Sequence, residues 1–381
     1  MKEPDREPQE LIHWDDADIR SAHANVFNVF GSREEIVFLF AESPPDAERG
    51  RKTVNLLSRI VVNPYVAKRL LILLQHALRK HETQYGPLLQ AEAPAAQAVD
   101  GISHPLASSL AGLVQKLQVT YDFERSIKMS PGKILGDRFL LIVDKNDIET
   151  KGYERILTVC RTLNMPEDFL EIFRQNFSQA NPIDFGFEAD GEGCIYKVYL
   201  DFMPRWKKES GDGGDKPEKY LMFLGFKWDA FDNSKKALTQ YTWHPSLSFE
   251  KIEQGVAAVF QNGRERGSFA LVQELLSVIS SRTSPDRVYY LDVSEGNSKR
   301  RSFDINAYSA NLKLQEMFPL LSKIREHYSI PGPVFHGLYE QVKEKGFGHL
   351  SGGVDRNGND FLTIYFGLEP VPPAFLQQPT Q

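Results

Sequence analysis

The stretch Tyr121-Asp-Phe-Glu-Arg-Ser-Ile-Lys-Met-Ser-Pro-Gly-Lys-Ile-Leu-Gly-Asp-Arg-Phe-Leu-Leu-Ile-Val143 reads as two strands joined through a Pro-Gly turn region. At a period of two, Glu124, Ser126 and Lys128 share one face of the first strand, and Arg138, Leu140 and Ile142 share one face of the second. A carboxylate and a guanidinium therefore come from neighbouring strands. If their common face looks outward, they form a solvated surface pair of little consequence. If it lines a barrel, they are an acid/base group and an anion-binding group held in a confined space.

The elements that must position this pair recur along the chain. Four more hairpins are predicted: Ile183–Glu188 with Cys194–Phe202, Tyr220–Trp228 with Ala237–Trp243, Arg287–Val293 with Arg301–Tyr308, and His349–Asp355 with Asp360–Phe366. Asp190-Gly191 and Asn357-Gly358 supply tight turns for the first and last of these. Helical spacing is found over Leu106–Leu117 and over the pairs Tyr153–Leu163/Pro166–Phe177, Phe249–Phe260/Phe269–Ile279 and Leu314–His327/Val334–Glu344. Lys207–Lys219 is charged and glycine-rich, and reads as a mobile loop. Repeats of this kind can close about ten antiparallel strands into a barrel with helices outside, an α+β architecture with a lumen for a ligand. An open antiparallel sheet with helices on one face has the same periodicity.

Ahead of this region, three apolar runs (Asn25–Phe30, Glu35–Phe40, Asn55–Val62) precede a helix opened by Asn63 and Pro64 and ending near Gly86. The expected organisation is a disordered terminus over 1–14, a small βββα domain over 15–90, an Ala/Pro-rich linker over 91–105, the barrel over 106–368 and a disordered tail over 369–381. So short a sheet needs a partner surface, either the rest of the chain or a second copy.

Composition excludes several classes. With 381 residues and 41% hydrophobic content the chain can bury a large core in more than one domain. A net charge of -6 argues against a nucleic-acid binder held by phosphate contacts. Cys160 and Cys194 are too few for a disulfide framework or a cysteine-rich zinc site, and both read as reduced packing residues. No signal peptide or membrane-length apolar run is present, so the expected compartment is the cytoplasm, with no membrane partner. No metal site is expected: the histidines, His349 among them, show no ligand spacing, Asp355–Gly358 reads as a turn, and Gly348–Gly353 precedes a strand instead of opening a phosphate-binding helix.

Helix pair and hairpin, repeated around a closed barrel, resemble the ABBA prenyltransferase fold over about residues 106–368. Asp122-Phe-Glu-Arg-Ser-Ile-Lys-Met129 and Asp137-Arg-Phe-Leu-Leu-Ile-Val143, with Tyr196-Lys-Val-Tyr199 and Gly225-Phe-Lys-Trp228, resemble the peptide prenyltransferases of cyanobactin-type pathways for ribosomally made peptides (RiPPs). The resemblance implies Glu124 as proton acceptor and Arg138 as a diphosphate ligand. The amino-terminal module resembles a small bacterial domain family of unknown function, through Ile60-Val-Val-Asn-Pro-Tyr-Val-Ala-Lys-Arg-Leu70 and Lys80-His-Glu-Thr-Gln-Tyr-Gly86.

Prenyl transfer breaks an allylic carbon–oxygen bond, so a cation-like fragment and a departing diphosphate need opposite environments. Cations suited to the diphosphate and aromatic faces suited to the fragment recur at alternating strand positions: Lys197 with Tyr199, Phe223 with Lys227, Tyr241 with Trp243, and Tyr365 on the last strand. The expected diphosphate set is Arg138, Lys197, Lys227, Tyr199, Tyr241, Tyr365 and Arg301; the expected aromatic cage is Phe223 and Trp243. The family often has two basic residues on the strand that here continues Lys197-Val-Tyr-Leu-Asp201, and Lys227, Arg287 or Arg301 are candidates to make up the number. The implied donor is dimethylallyl diphosphate, with any Mg2+ held mainly by the diphosphate; the implied acceptor is a peptide or small aromatic molecule, and a homodimer through the amino-terminal domain is a further expectation. The alternative reading is a non-catalytic barrel that delivers or senses a small ligand and docks through that domain.

Overall fold

The computed structural model describes residues 21–31, 34–42, 55–85, 102, 104–189, 193–210, 218–260, 266–296, 298 and 300–373. The chain divides into two compact units, Met1–Pro94 and Ala95–Gln381. The expected disordered terminus, most of the linker, the Asp190-Gly191 turn and residues 374–381 of the tail lie outside the described residues.

In the first unit, β1 (Val26–Gly31), β2 (Ile36–Glu42) and β3 (Asn55–Val62) form an antiparallel sheet in that order, followed by α1 (Pro64–Tyr85). Asn63 caps the helix, its Oδ1 accepting from the Val66 amide at 2.9 Å. The unit hides little of its apolar surface. Only Val37 and Ala41 of its described hydrophobic residues are buried, while Phe27, Leu56, Ile60, Tyr65, Leu73, Leu74 and Leu78 are exposed.

The second unit opens with α2 (Pro105–Gln115) and carries five hairpins: β4 (Tyr121–Ser130) with β6 (Arg138–Val143), β7 (Ile183–Ala189) with β8 (Cys194–Asp201), β9 (Tyr220–Asp229) with β10 (Lys236–Trp243), β11 (Tyr289–Glu295) with β12 (Arg301–Asn306), and β13 (Phe347–Val354) with β14 (Asp360–Val371). Each strand pairs antiparallel with its sequence neighbour, and β14 pairs back onto β4 from Leu362/Met129 to Val371/Tyr121. That last ladder closes ten strands into a barrel, which removes the open-sheet alternative. A short β5 (Lys133–Leu135) flanks the far end of β4 before the chain turns into β6, so the first hairpin is interrupted where one continuous strand pair was expected.

Helices cover the outside. They are α3 (Gly152–Thr162), α4 (Glu167–Asn176), α6 (Phe249–Phe260), α7 (Arg266–Ser280), α8 (Phe318–His327) and α9 (Gly332–Val342), with α5 (Met203–Ser210) alone between β8 and β9. The first residues of the expected mobile loop, Lys207–Ser210, are therefore helical, and 211–217 lie outside the described residues. The core is the layer between helices and outer barrel face. Leu110, Ile156, Cys160 and Phe173 pack with Phe185, Val198 and Phe226 on one side, and Val256, Leu276, Leu321 and Phe335 with Phe303, Leu350 and Ile364 on the other. These outward apolar side chains alternate with the inward residues of each strand, so burying one set under helices aims the other into the lumen. The last strand runs three residues past the expected boundary at 368. No helix among the described residues is long and apolar enough to cross a membrane.

Candidate active site

Two cavities occupy the lumen and share the walls Tyr199, Tyr241, Tyr365 and Asp304. One, of about 140 Å³, is lined by five basic side chains, Lys128, Arg138, Lys197, Lys227 and Arg300, against the carboxylates Glu188, Glu295 and Asp304. The other, of about 180 Å³, is lined by the four carboxylates of Glu124, Asp184, Asp201 and Asp304, with His349 as its basic group. The lumen is sorted by charge along its axis. Lys128 and Glu188 are at the strand ends that lead into hairpin turns, whereas Glu124 and Asp184 are at the ends that receive the helical connections.

Strand register assembles the basic cavity. Lys197 on β8 is directly opposite Lys227 on β9, and Arg138 on β6 is opposite Glu188 on β7. Glu188 meets three cations: Arg138, Lys197 at 2.5 Å and Lys128 at 3.8 Å. Burial alone would push its carboxyl upward, but Arg138, Lys197 and Lys128 together hold it well below the usual carboxylate range. Burial lowers Lys197 to about 8 against the pull of Glu188, and burial with Arg300 and Lys197 nearby pushes Lys227 well below an ordinary lysine. Arg138 Nε donates to Ser126 Oγ at 3.3 Å. Arg300 Nε and Thr239 Oγ1 are buried without a hydrogen-bond partner among the described residues. The cavity is thus cationic and carries unused donors, the chemistry of a site for a polyanion.

An aromatic belt separates the two cavities. Tyr199 and Tyr241 meet edge to face at 5.8 Å between centroids, and Phe223 meets Tyr241 at 5.9 Å. Lys227 Nζ donates to the Tyr241 hydroxyl at 3.3 Å. Glycine makes the belt possible: a Cβ on Gly225 would come within 2.8 Å of the Tyr199 ring.

At the acidic end, Glu124 is 2% exposed and is held by two donors, the Tyr308 hydroxyl on Oε1 and His349 Nε2, 3.3 Å from Oε2. The other face of the imidazole system is also tied, with Nδ1 2.8 Å from Asp304 Oδ2, while the ring stacks on Tyr365 at 3.8 Å and 13°. Burial disfavours a charged imidazole, yet Asp304 and Glu124 outweigh it and hold His349 well above its ordinary value. His349 is an imidazolium between two carboxylates. Asp184, on β7, has its carboxyl raised well above the usual range by burial and by the neighbouring Asp201 and Glu124. Its Oδ1 is buried without a hydrogen-bond partner among the described residues.

Of the residues predicted from sequence, Arg138, Lys197 and Lys227 line the basic cavity, Glu124 and Phe223 the acidic one, and Tyr199, Tyr241 and Tyr365 both. Arg301 is a correction. It is exposed on the opposite face of β12 from Ser302 and Asp304, and its neighbour Arg300, which shares their parity, enters the cavity instead. Arg287 is likewise exposed, in a 3-10 turn ahead of β11. Trp243 lines neither cavity. The strand keeps its alternation there, with Tyr241, Thr242 and Trp243 opposite Val293, Asp292 and Leu291, but the indole packs against Trp206 of α5 at 4.8 Å and Tyr289 at 5.1 Å, in a cluster with Leu291 and Phe223. Sequence reasoning missed Lys128, Arg300, Glu188, Asp184, Asp304, Tyr308 and His349. Period two marks most of them, since Lys128 shares the face of Glu124 and Arg300 that of Asp304, whereas metal-ligand spacing does not mark His349.

The family described as "Protein of unknown function (DUF3467)" matches residues 1–90. No curated protein matches the chain. Among solved structures, the "Prenyltransferase PriB Apo Form" is similar at 12% identity over 72% of this chain and 94% of that one, with a TM-score of 0.48. A "6-dimethylallyl tryptophan synthase" is similar at 13% identity over 66% and 83%, with a TM-score of 0.43. AnaPT from Neosartorya fischeri is similar at 14% identity over 80% and 92%, with a TM-score of 0.42. Among the described residues, no group of three or more His, Cys, Asp and Glu side chains is placed to hold a metal ion.

Proposed function

We propose that the protein is a prenyltransferase that moves a dimethylallyl or longer isoprenyl group from its diphosphate to a side chain or terminus of a peptide, in a RiPP natural-product pathway of the cytoplasm. The observation that carries this reading is the sorting of the lumen into a cationic end and an acidic end, with Tyr199, Tyr241 and Tyr365 between them. A reaction that separates a diphosphate from a carbocation needs that division.

In this reading Arg138, Lys197, Lys227, Lys128 and Arg300 bind the diphosphate, and Arg300 Nε and Thr239 Oγ1 find the acceptor atoms they lack. The belt tyrosines and Phe223 face the allylic fragment and exclude water. The acceptor enters from the acidic end, attacks C1 of the fragment as the C1–O bond breaks, and loses a proton to Glu124. Tyr308 and His349 fix that carboxylate by donating to its two oxygens. Any Mg2+ would come bound chiefly to the diphosphate.

The amino-terminal unit is proposed to join two copies of the chain. The apolar residues of β3 and α1 (Leu56, Ile60, Leu73, Leu74, Leu78) are exposed on a sheet and a helix linked by Asn63 alone, so each offers a second copy the surface the other lacks.

The test of transfer is incubation of the full chain with dimethylallyl diphosphate and a panel of peptides. A mass gain of one isoprenyl unit, lost in Glu124→Ala and Arg138→Ala while both variants remain folded, is the expected result. Tight diphosphate binding with no turnover on any acceptor would favour the carrier or sensor instead.

A further inference from the structure

The prenyl-transfer reading leaves one feature of the acidic cavity without a purpose. A single carboxylate, Glu124, suffices to take a proton, yet Asp184 and Asp201 line the same space, and Asp304 is already engaged with His349. Asp184 is the informative one. Its side chain belongs to a residue only 7% exposed, it lines the cavity, and its Oδ1 has no hydrogen-bond partner among the described residues. A buried carboxylate oxygen with no donor is unfavourable unless a ligand supplies one. Even with Asp184 held toward its neutral form, three carboxylates facing one imidazolium leave a surplus of negative charge in a confined space, which repels anions and attracts a cation more strongly than a neutral indole or phenol.

We propose that the acceptor bound in this cavity is the guanidinium of an arginine side chain, which donates to Asp184 and is alkylated on a terminal nitrogen. This inference rests on the prenyl-transfer reading. A guanidinium is planar and presents N–H donors in several directions at once, which suits carboxylates arriving from different strands: Glu124 from β4, Asp184 from β7 and Asp201 from β8. Its flat face suits the rings of Phe223 and Tyr365, which line the same cavity. Burial and the neighbouring Asp201 and Glu124 hold Asp184 toward its neutral form in the free protein, so a cation that ionises it releases a proton on binding.

The step balances. A terminal guanidinium nitrogen gives its N–H proton to Glu124, and the electron pair so freed forms the new bond to C1 of the dimethylallyl group. The C1–O bond breaks with its electrons leaving on the diphosphate, among Arg138, Lys197 and Lys227. The product is an N-prenyl guanidinium, still a cation.

The experiment is calorimetric titration of the full chain, with the unreactive thiolodiphosphate analogue of dimethylallyl diphosphate present. The titrants are capped Gly-Arg-Gly and the citrulline, lysine and tyrosine peptides of the same form. Citrulline keeps the shape of arginine and removes the charge. The expected result is arginine bound about tenfold or more tightly than citrulline, with release of protons seen as a buffer-dependent enthalpy, and with the advantage lost in Asp184→Asn. Citrulline or tyrosine bound as tightly as arginine overturns the proposal, as does lysine bound equally well or no arginine binding at all. The wild-type ratio decides the matter even if Asp184→Asn does not fold. Arginine preference without turnover on the reactive donor would sink the transfer reading and the alkylation with it, leaving only guanidinium recognition; turnover confined to tyrosine would sink this proposal and leave the transfer reading standing.

Discussion

Arg138 makes its ion pair with Glu188, its cross-strand neighbour on β7. The carboxylate on the adjacent strand, Glu124, pairs with His349 instead. Two side chains that a single hairpin brings close in sequence thus serve opposite ends of the lumen, and each is set by a strand outside that hairpin.

Removing the guanidinium separates structural from binding roles. Arg138→Met leaves Glu188 buried with fewer partners, so stability should fall by about 3–5 kcal/mol, read from denaturant unfolding. The double variant Arg138→Met/Glu188→Gln should regain part of that stability, because the under-compensated carboxylate charge is gone while an amide oxygen can still accept from Lys197. Affinity for dimethylallyl thiolodiphosphate should stay low in both. Recovery of donor affinity in the double variant would mean that Arg138 serves Glu188 and not the diphosphate.

Glu124 is predicted to act on the proton and not on the donor. Glu124→Gln keeps the shape and an acceptor oxygen for Tyr308 but cannot take a proton, so turnover should fall by about 10²–10⁴-fold. Affinity for the thiolodiphosphate, measured by calorimetry, should be unchanged, since the basic cavity is lined by other residues. Unaltered turnover in this variant would remove Glu124 from the mechanism.

The order of elements was legible because each hairpin alternates apolar and polar residues and each helix pair carries a continuous apolar stripe, as in Phe169, Leu170 and Phe173 of α4. Closure was not legible in the periodicity, because it depends on β14 meeting β4 across more than two hundred residues; only the resemblance to the ABBA fold implied it. The site was readable wherever period two held, as for Glu124, Lys197 and Tyr199. It failed at Trp243, which keeps the alternation of β10 but is covered by Trp206 of α5, a contact that period two does not show, and at Arg301, where two arginines in succession differ only in which one faces inward. Glu188 and Asp184 escaped notice for a different reason: nothing in a sequence says that a carboxylate will be buried among cations or left without a donor.

Donor affinity should depend on alkaline pH with a defined sign. Burial lowers the Lys197 ammonium to about 8 in the free protein, and a bound diphosphate favours the charged form. Above pH 8, binding must therefore take up a proton, and affinity should fall by up to about tenfold per pH unit; on the acid side this contribution is flat. Lys197→Met should bind less tightly and take up one proton fewer, counted by calorimetry in buffers of different ionisation enthalpy. An identical proton uptake in the variant and the parent would assign the titration elsewhere.

The amino-terminal unit makes an oligomeric prediction. Leu74 and Leu78 are half exposed on α1, one turn apart on the same helix face. If a second copy covers them, Leu74→Glu/Leu78→Glu should convert a dimer of the full chain to a monomer in light scattering. Prenyl transfer should survive the change, because the lumen residues all belong to the other unit. A parent chain that is monomeric at micromolar concentration would rule the dimer out.

Gly348 tests whether the grip on Glu124 matters as much as the carboxylate itself. A Cβ at this position would stand 2.6 Å from Tyr308 Cε1 and 2.8 Å from Glu124 Oε1, closer than real side chains approach, so the phenol must move. Gly348→Ala should therefore break the Tyr308–Glu124 hydrogen bond, at a cost of about 1–3 kcal/mol in stability, and lower turnover in the same direction as Tyr308→Phe. The control is Gly346→Ala, two residues earlier, whose Cβ would meet only the Leu312 carbonyl oxygen at 4.0 Å. Equal turnover in the two alanine variants would show that Glu124 works without being held, and that the hydroxyl of Tyr308 serves the fold and not the proton transfer.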